Sequence, residues 1–134
     1  MSDCIFCKII NKEIPGKIIY EDAICLAFLD ISQTTKGHTL VIPKKHYQNF
    51  LEVDHETLQH MTVITQKLAK KIVHNVAANG CNIITNAGLE AGQTVFHFHI
   101  HIIPRFNEKD TITLSLTDNS DTCDLEDVYQ LVQK

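Results

Sequence analysis

The chain has 134 residues, 44% of them apolar and 21% charged, with a formal net charge of −4 at pH 7. That length and apolar share suffice for one cored domain and are short for two. The acidic balance speaks against indiscriminate binding to a nucleic-acid polymer, which needs a basic face, and the apolar runs fall far short of the roughly 20 residues of a membrane span.

The opening Met1-Ser2-Asp3-Cys4 has neither the basic start nor the apolar block of a secretory signal, so the cytoplasm is the expected location. Residues 5–13 read as a short helix. Ile18–Glu21 and Ile24–Leu29 are apolar runs on either side of Glu21-Asp22, a pattern of two strands around a tight turn. A polar loop over Asp30–Gly37 leads to a third strand, His38–Pro43, rich in β-branched residues. Asp54 is a good N-cap, and Leu58, Met61, Ile64 or Thr65, Leu68, Ile72 and Val76 recur at helical spacing until Asn79-Gly80, which predicts one long helix. Cys81–Thr85 and Val95–Ile103 complete the strands, with the loop Asn86–Thr94 between them, and Leu125–Val132 ends the polar tail as a last helix. Short connections between successive strands favour an α+β fold: a five-stranded antiparallel sheet whose helices cover one face.

Of the five cysteines only Cys4 and Cys7 are close, which is not a disulfide framework; Cys25 and Cys81 read as small buried hydrophobes. His97-Phe98-His99-Ile100-His101 is the unusual segment. On a strand the histidines share one face, while Phe96, Phe98, Ile100 and Ile102 share the other and form core. A solvated strand face is the plain reading. Two functional readings compete with it: imidazoles converging on a metal, or one imidazole as nucleophile with neighbours that orient it and move protons. Spacing alone does not choose between them.

The whole segment His97–Ile103 resembles the histidine triad signature, His-φ-His-φ-His-φ-φ with φ apolar, and Gly92-Gln93-Thr94-Val95 resembles the family's lead-in. The likeness extends through Cys4–Ile10, Glu13-Ile14-Pro15, Ala27–Ile31 and Gly37–His46, and is closest to the bacterial, nucleoside-phosphoramidase-like branch. The resemblance implies a domain over residues 1–106; the tail over 107–134, whose short helix is expected to pack on the same domain, lies outside the match.

It further implies a hydrolase or nucleotidyl transferase that cleaves at the α-phosphate of nucleoside phosphoramidates or related conjugates. His99 would be the nucleophile, forming a covalent nucleotidyl-histidine, with His101 and Thr94 as donors to the phosphate and leaving group and His38 as orienter. Asp30 would take the ribose hydroxyls, Asn86 a contact near ribose and phosphate, and Phe6, Ile9, Ile14, Phe28 and Ile31 the walls around a purine base. No Walker loop is present, so Gly92, Gln93 and Thr94 would supply donors to the phosphate. Cys4 and Cys7, with His46 and His97, would hold one structural zinc per chain. The resemblance also implies a homodimer with a continuous ten-strand sheet. Alternatives are a dinucleoside polyphosphate hydrolase, suggested by Gln93-Thr94 and Pro104-Arg105, a zinc hydrolase whose triad binds the ion, and a nucleotide-binding module without turnover.

Overall fold

The computed structural model describes residues 3–110 and 112–134. The first helix, α1 (Ile5–Ile10), is capped by a thiol: Cys4 Sγ accepts from the backbone N–H of Cys7 at 3.4 Å. It stops short of the predicted residue 13, because Asn11 leaves the helix and Lys12 adopts a left-handed φ of 63°. Strands β1 (Ile18–Glu21) and β2 (Cys25–Leu29) follow as expected. Asp22 shapes the turn between them, its Oδ1 accepting from Ile24 and Cys25 N–H, each at 2.8 Å.

Next come β3 (Thr39–Pro43) and the long helix α2 (His55–Val76), whose Asp54 cap accepts from Thr57 N–H at 2.9 Å. The helix ends two residues earlier than Asn79-Gly80 suggests. Ala77 takes the left-handed conformation at φ 60°, and the Ala78 N–H closes back on the Val73 carbonyl. This frees Asn79 to bond the Arg105 and Phe106 carbonyls at the start of β4 (Gly80–Ile84).

The last strand, β5, runs from Ile100 to Arg105, not from Val95 to Ile103. Its ladder begins late: β4 ends at the Ile84↔His101 pair, and β3, which runs on to Pro43 paired with β2, meets β5 only as far as Val41↔Ile100. Residues 95–99 are instead tied to the loop after β3, with Phe98 N–H donating to the Tyr47 carbonyl at 2.7 Å. The sheet is antiparallel throughout, in the order β1-β2-β3-β5-β4.

The helices do not share one face. α2 packs Met61, Ile64, Leu68 and Ile72 against Cys25, Ala27, Val41, Phe98, Ile100 and Ile102, while α1 packs Phe6 and Ile9 against Leu26, Phe28, Leu40 and Ile42 on the other side. Cys25 is buried within the first cluster and Cys81 lies half-buried at its margin; Phe96, expected in the core, is 41% exposed. The last helix, α3 (Leu125–Val132), forms over the predicted residues, but none of them is buried, so the packing expected for the tail is not seen. Among the described residues no helix is long and apolar enough to cross a membrane.

Candidate active site

The histidines of the triad lie on the α1 side of the sheet. His101 stands opposite Leu40 across the β3–β5 ladder, and the His99 ring is 5.0 Å from that of His101. The alternation read from sequence holds for these side chains, although only His101 belongs to the strand itself.

Hydrogen bonds fix the proton on each ring of the outer group. The Thr34 N–H donates to His38 Nδ1 at 3.3 Å, which places the His38 proton on Nε2. That nitrogen faces His101 Nδ1 at 2.9 Å and donates to it, so the remaining His101 proton sits on Nε2. Asp30 Oδ2 lies 3.7 Å from His38 Nε2, while Asp30 Oδ1 accepts from Ser32 N–H at 2.8 Å. His99 Nδ1 is 2.7 Å from the His97 carbonyl, which can only accept; the ring's lone pair is therefore on Nε2. Burial pushes all three rings towards the neutral form. It lowers His101 to about 4, helped by His99 and His38, and it outweighs the opposing pull of Asp30 on His38 and of the His97 carbonyl and Asp30 on His99. The arrangement presents one neutral nucleophilic nitrogen beside one N–H donor.

His97 belongs to a different group. Its Nε2 donates to the Pro43 carbonyl at 2.9 Å, so Nδ1 carries the lone pair, and that nitrogen faces Cys4 Sγ at 3.3 Å, Cys7 Sγ at 3.6 Å and His46 Nδ1 at 3.1 Å. Cys7 Sγ is 3.5 Å from His46 Nδ1. The four donor atoms lie within 4.8 Å of one another. Zinc–nitrogen and zinc–sulfur bonds imply tetrahedral edges of about 3.3–3.8 Å. The donor set fits a closed tetrahedral ion in both chemistry and spacing.

The base-wall residues fall in two classes. Phe6, Ile9 and Phe28 are buried and Ile14 is half-buried, whereas Ile31 is 98% exposed just beyond β2. Asn86 is half-buried and lies beside Gly92, at whose φ of 96° only glycine is unstrained. Two amides of the Gly92-Gln93-Thr94 trio are engaged within the loop. Gly92 and Gln93 N–H donate to the Leu89 and Gly88 carbonyls, closing a single 3-10 turn over Leu89–Ala91. The Gln93 side chain, 1% exposed, accepts from Gly88 N–H at 2.8 Å and donates to the Gln48 and Val95 carbonyls. Gln93 therefore holds the loop, while Gly92 and Thr94 are exposed.

The sequence reading missed two features. Thr34 and Pro43 act through backbone groups, for which residue type carries no signal. On the α2 side, Asp22 Oδ2 accepts from Tyr20 Oη at 2.7 Å and from His60 Nε2 at 2.6 Å. Burial alone would raise the Asp22 carboxyl, but these bonds and the turn amides hold it well below the usual carboxylate range. Burial beside that charge pushes the Cys25 thiol up to about 12.

Comparison with known proteins agrees with this geometry. The HIT domain model matches residues 11–108, and the chain belongs to that family. A HIT family protein from Bacillus anthracis str. Ames Ancestor is 43% identical, superposes with a TM-score of 0.91 and is matched over 98% of this chain and 93% of its own. A zinc-bound histidine triad family protein from Mycobacterium smegmatis is 36% identical at a TM-score of 0.78, over 98% of this chain and 97% of its own. Adenylylsulfatase HINT3 of Arabidopsis thaliana is 40% identical over 114 residues, 85% of this chain and 57% of that protein.

Proposed function

We propose that the protein is a nucleotide hydrolase or transferase that cleaves nucleoside phosphoramidates or related nucleotidyl conjugates at the α-phosphate, with His99 as nucleophile. The observation that carries this reading is the pair of assigned tautomers: a lone pair on His99 Nε2 next to an N–H on His101 Nε2. His99 Nε2 forms the bond to phosphorus as the bond to the leaving group breaks, and the departing atom takes the proton of His101 Nε2, which the attacking water restores in the second step. Water then displaces the imidazole and releases the nucleoside monophosphate. His101 and Thr94 donate to the phosphate oxygens or the leaving group, and His38 orients His101 through the 2.9 Å contact.

Asp30 takes the ribose and Asn86 the ribose–phosphate junction, while Phe6, Ile9, Ile14, Phe28 and Ile31 flank the purine. Gly92 and Gln93 shape the phosphate loop. The plant relative's name, adenylylsulfatase, is in keeping with a nucleotidyl conjugate as substrate. A diadenosine polyphosphate would use the same nucleophile with a nucleotide as leaving group. A triad-bound catalytic ion has less support, although Asp30, His38 and His101 lie close enough to hold one, because His38 and His101 direct a proton and a lone pair at each other.

The test is intact mass after a rapid alkaline denaturing quench with adenosine phosphoramidate. A nucleotidyl adduct on the wild type that vanishes in His99→Ala is expected; an undiminished adduct in the variant refutes the assignment. A panel of phosphoramidates, aminoacyl-adenylates and diadenosine polyphosphates compared by kcat/KM then identifies the leaving group.

Cys4, Cys7, His46 and His97 are the proposed ligands of one structural zinc per chain, supported by the fit of the donor set and by the zinc-bound mycobacterial relative. Thiolates of this kind persist in a reducing compartment, which suits a cytoplasmic location. The homodimer rests on an apolar groove of 620 Å³ between α2 and β4, where Phe50, Leu58, Val73 and Ile84 line the walls and the half-exposed Ile83 lies at the sheet edge. Edge pairing of β4 with a second copy would extend the sheet to ten strands. Ile83→Asp is expected to convert a dimer to a monomer in light scattering; a wild-type monomer would remove the proposal.

A further inference from the structure

One aromatic side chain touches both the metal-ligand set and the nucleophile. Phe6 lies between Cys4 and Cys7, on a helix of six residues. A helix so short does not persist by its own hydrogen bonds, and what fixes it must come from outside. The outside restraints are the packing of Phe6 and Ile9 in the core and the two thiols facing His46 and His97. The Phe6 ring stands edge-on to His97 at 5.8 Å and 72° and to His99 at 5.2 Å and 86°, and is backed by Phe28 at 5.5 Å. Phe6 is 6% exposed and His99 7%, so no solvent layer cushions the contact.

A second link runs through the backbone. The His97 carbonyl holds His99 Nδ1 at 2.7 Å, and the His97 ring is fixed at Nε2 by Pro43 and at Nδ1 by the thiols. Displacing α1 or His97 therefore disturbs two restraints on His99: the plane of its ring and the carbonyl that sets its tautomer.

We infer that Phe6 is a positioning residue for His99 and that the Cys4, Cys7, His46 and His97 set, by fixing α1, sets the orientation of the nucleophile. This rests on the reading of His99 as nucleophile. The role differs from that of a base wall, since it acts on the enzyme's own imidazole. In-line attack needs the Nε2 lone pair aimed at phosphorus, and a displacement of about 1 Å costs on the order of 10²-fold in rate.

The experiment compares zinc-loaded wild type, wild type stripped of zinc with the fold retained by circular dichroism, and zinc-loaded Phe6→Leu and Phe6→Tyr. Three quantities are read: zinc per chain, the ¹⁵N resonances of the His99 ring, and the rate of adduct formation in a single turnover beside the Kd for adenosine monophosphate. In Phe6→Leu we expect one zinc per chain, shifted His99 resonances and adduct formation slowed about 10- to 100-fold, with Kd changed less than about threefold. Phe6→Tyr, which keeps the ring edge, restores resonances and rate. Zinc removal shifts the same resonances in the same direction.

Weakened binding in Phe6→Leu with an unchanged rate at saturation and unmoved resonances would reduce Phe6 to a wall of the base pocket. Zinc removal that lowers the melting temperature without moving the His99 resonances would reduce the ligand set to a staple. Either result overturns the inference. Failure of Phe6→Leu to fold leaves the loaded and stripped wild type to decide it. Absence of any adduct on wild type refutes the nucleophile instead, and the resonances still decide the positioning.

Discussion

The histidines at 97 and 101 lie on the same side of one segment, yet their surroundings are opposite in kind. Around His97 the structure is closed: one nitrogen is spent on the Pro43 carbonyl and the other faces two thiols and a second imidazole. Around His101 the bonds form a chain, from the Thr34 amide through His38, that ends in an N–H pointing onward. Thiols and a bare ring nitrogen assemble lone pairs around one point, which suits a cation. A backbone amide at the head of the chain fixes each tautomer in turn and leaves an N–H at the far end, which suits an anion. The neighbours, rather than the residue type, decide which chemistry an imidazole performs.

Substitutions separate the two groups. The largest effect is expected for His99→Ala, a loss of on the order of 10⁴-fold or more in kcat with zinc content unchanged, read by turnover and elemental analysis. His97→Ala is expected to do the reverse first, losing zinc and stability. Equal zinc loss in both variants would erase the distinction. Chelation of the zinc comes next, lowering the melting temperature by on the order of 10 °C in calorimetry; an unchanged melt would show that the closed group does not hold α1.

Acid sharpens the comparison further. The folded-state pKa of His101 is held down at about 4, against an ordinary value of 6.5. Its contribution is therefore undiminished above about 6.5 and is lost as the pH falls towards 4, because the unfolded chain takes the proton first. Urea midpoints should fall across that window, and His101→Asn should flatten the fall; an equally steep curve in the variant would assign the effect elsewhere. Gln93→Leu leaves the Gln48 and Val95 carbonyls and the Gly88 amide without their amide partner, at about 1–3 kcal/mol in chemical denaturation, with zinc content unaltered. The smallest effect is expected for His60→Ala. His60 is a third of the way exposed and pairs with Asp22 outside both groups, so a stability change of about 1 kcal/mol or less is expected. Adduct formation should not change; a slowed rate would show that the α2 side reaches the nucleophile.

Much of the scaffold was legible because it is written in local periodicity. The apolar spacing from Leu58 to Val76 with an Asp54 cap marks α2, and Leu125–Val132 marks α3 to the residue. What escaped depends on partners distant in sequence or on backbone groups. The start of β5 follows from where pairing with β3 and β4 gives out, which no pattern within Val95–Ile103 records. The end of α2 lies on a left-handed alanine, an unfavoured choice without a residue signature. Gln93 read as a phosphate contact because it is polar and next to the triad; its burial comes from a carbonyl 45 residues away. Phe6 read as a base wall, and its edge contact with His99 appears only when α1 is placed across the sheet.

The closed group also has a history in time. Cys4 and His97 are separated by 93 positions, so at a synthesis rate of about 5–20 residues per second the thiols emerge roughly 5–19 s before their imidazole partner. Through that interval Cys7 can meet His46, 39 positions on, but the four-donor group stays incomplete until nearly the whole domain has been made. A chain broken off before residue 97 therefore lacks both the last of the four clustered donors and His99, which follows it by two residues.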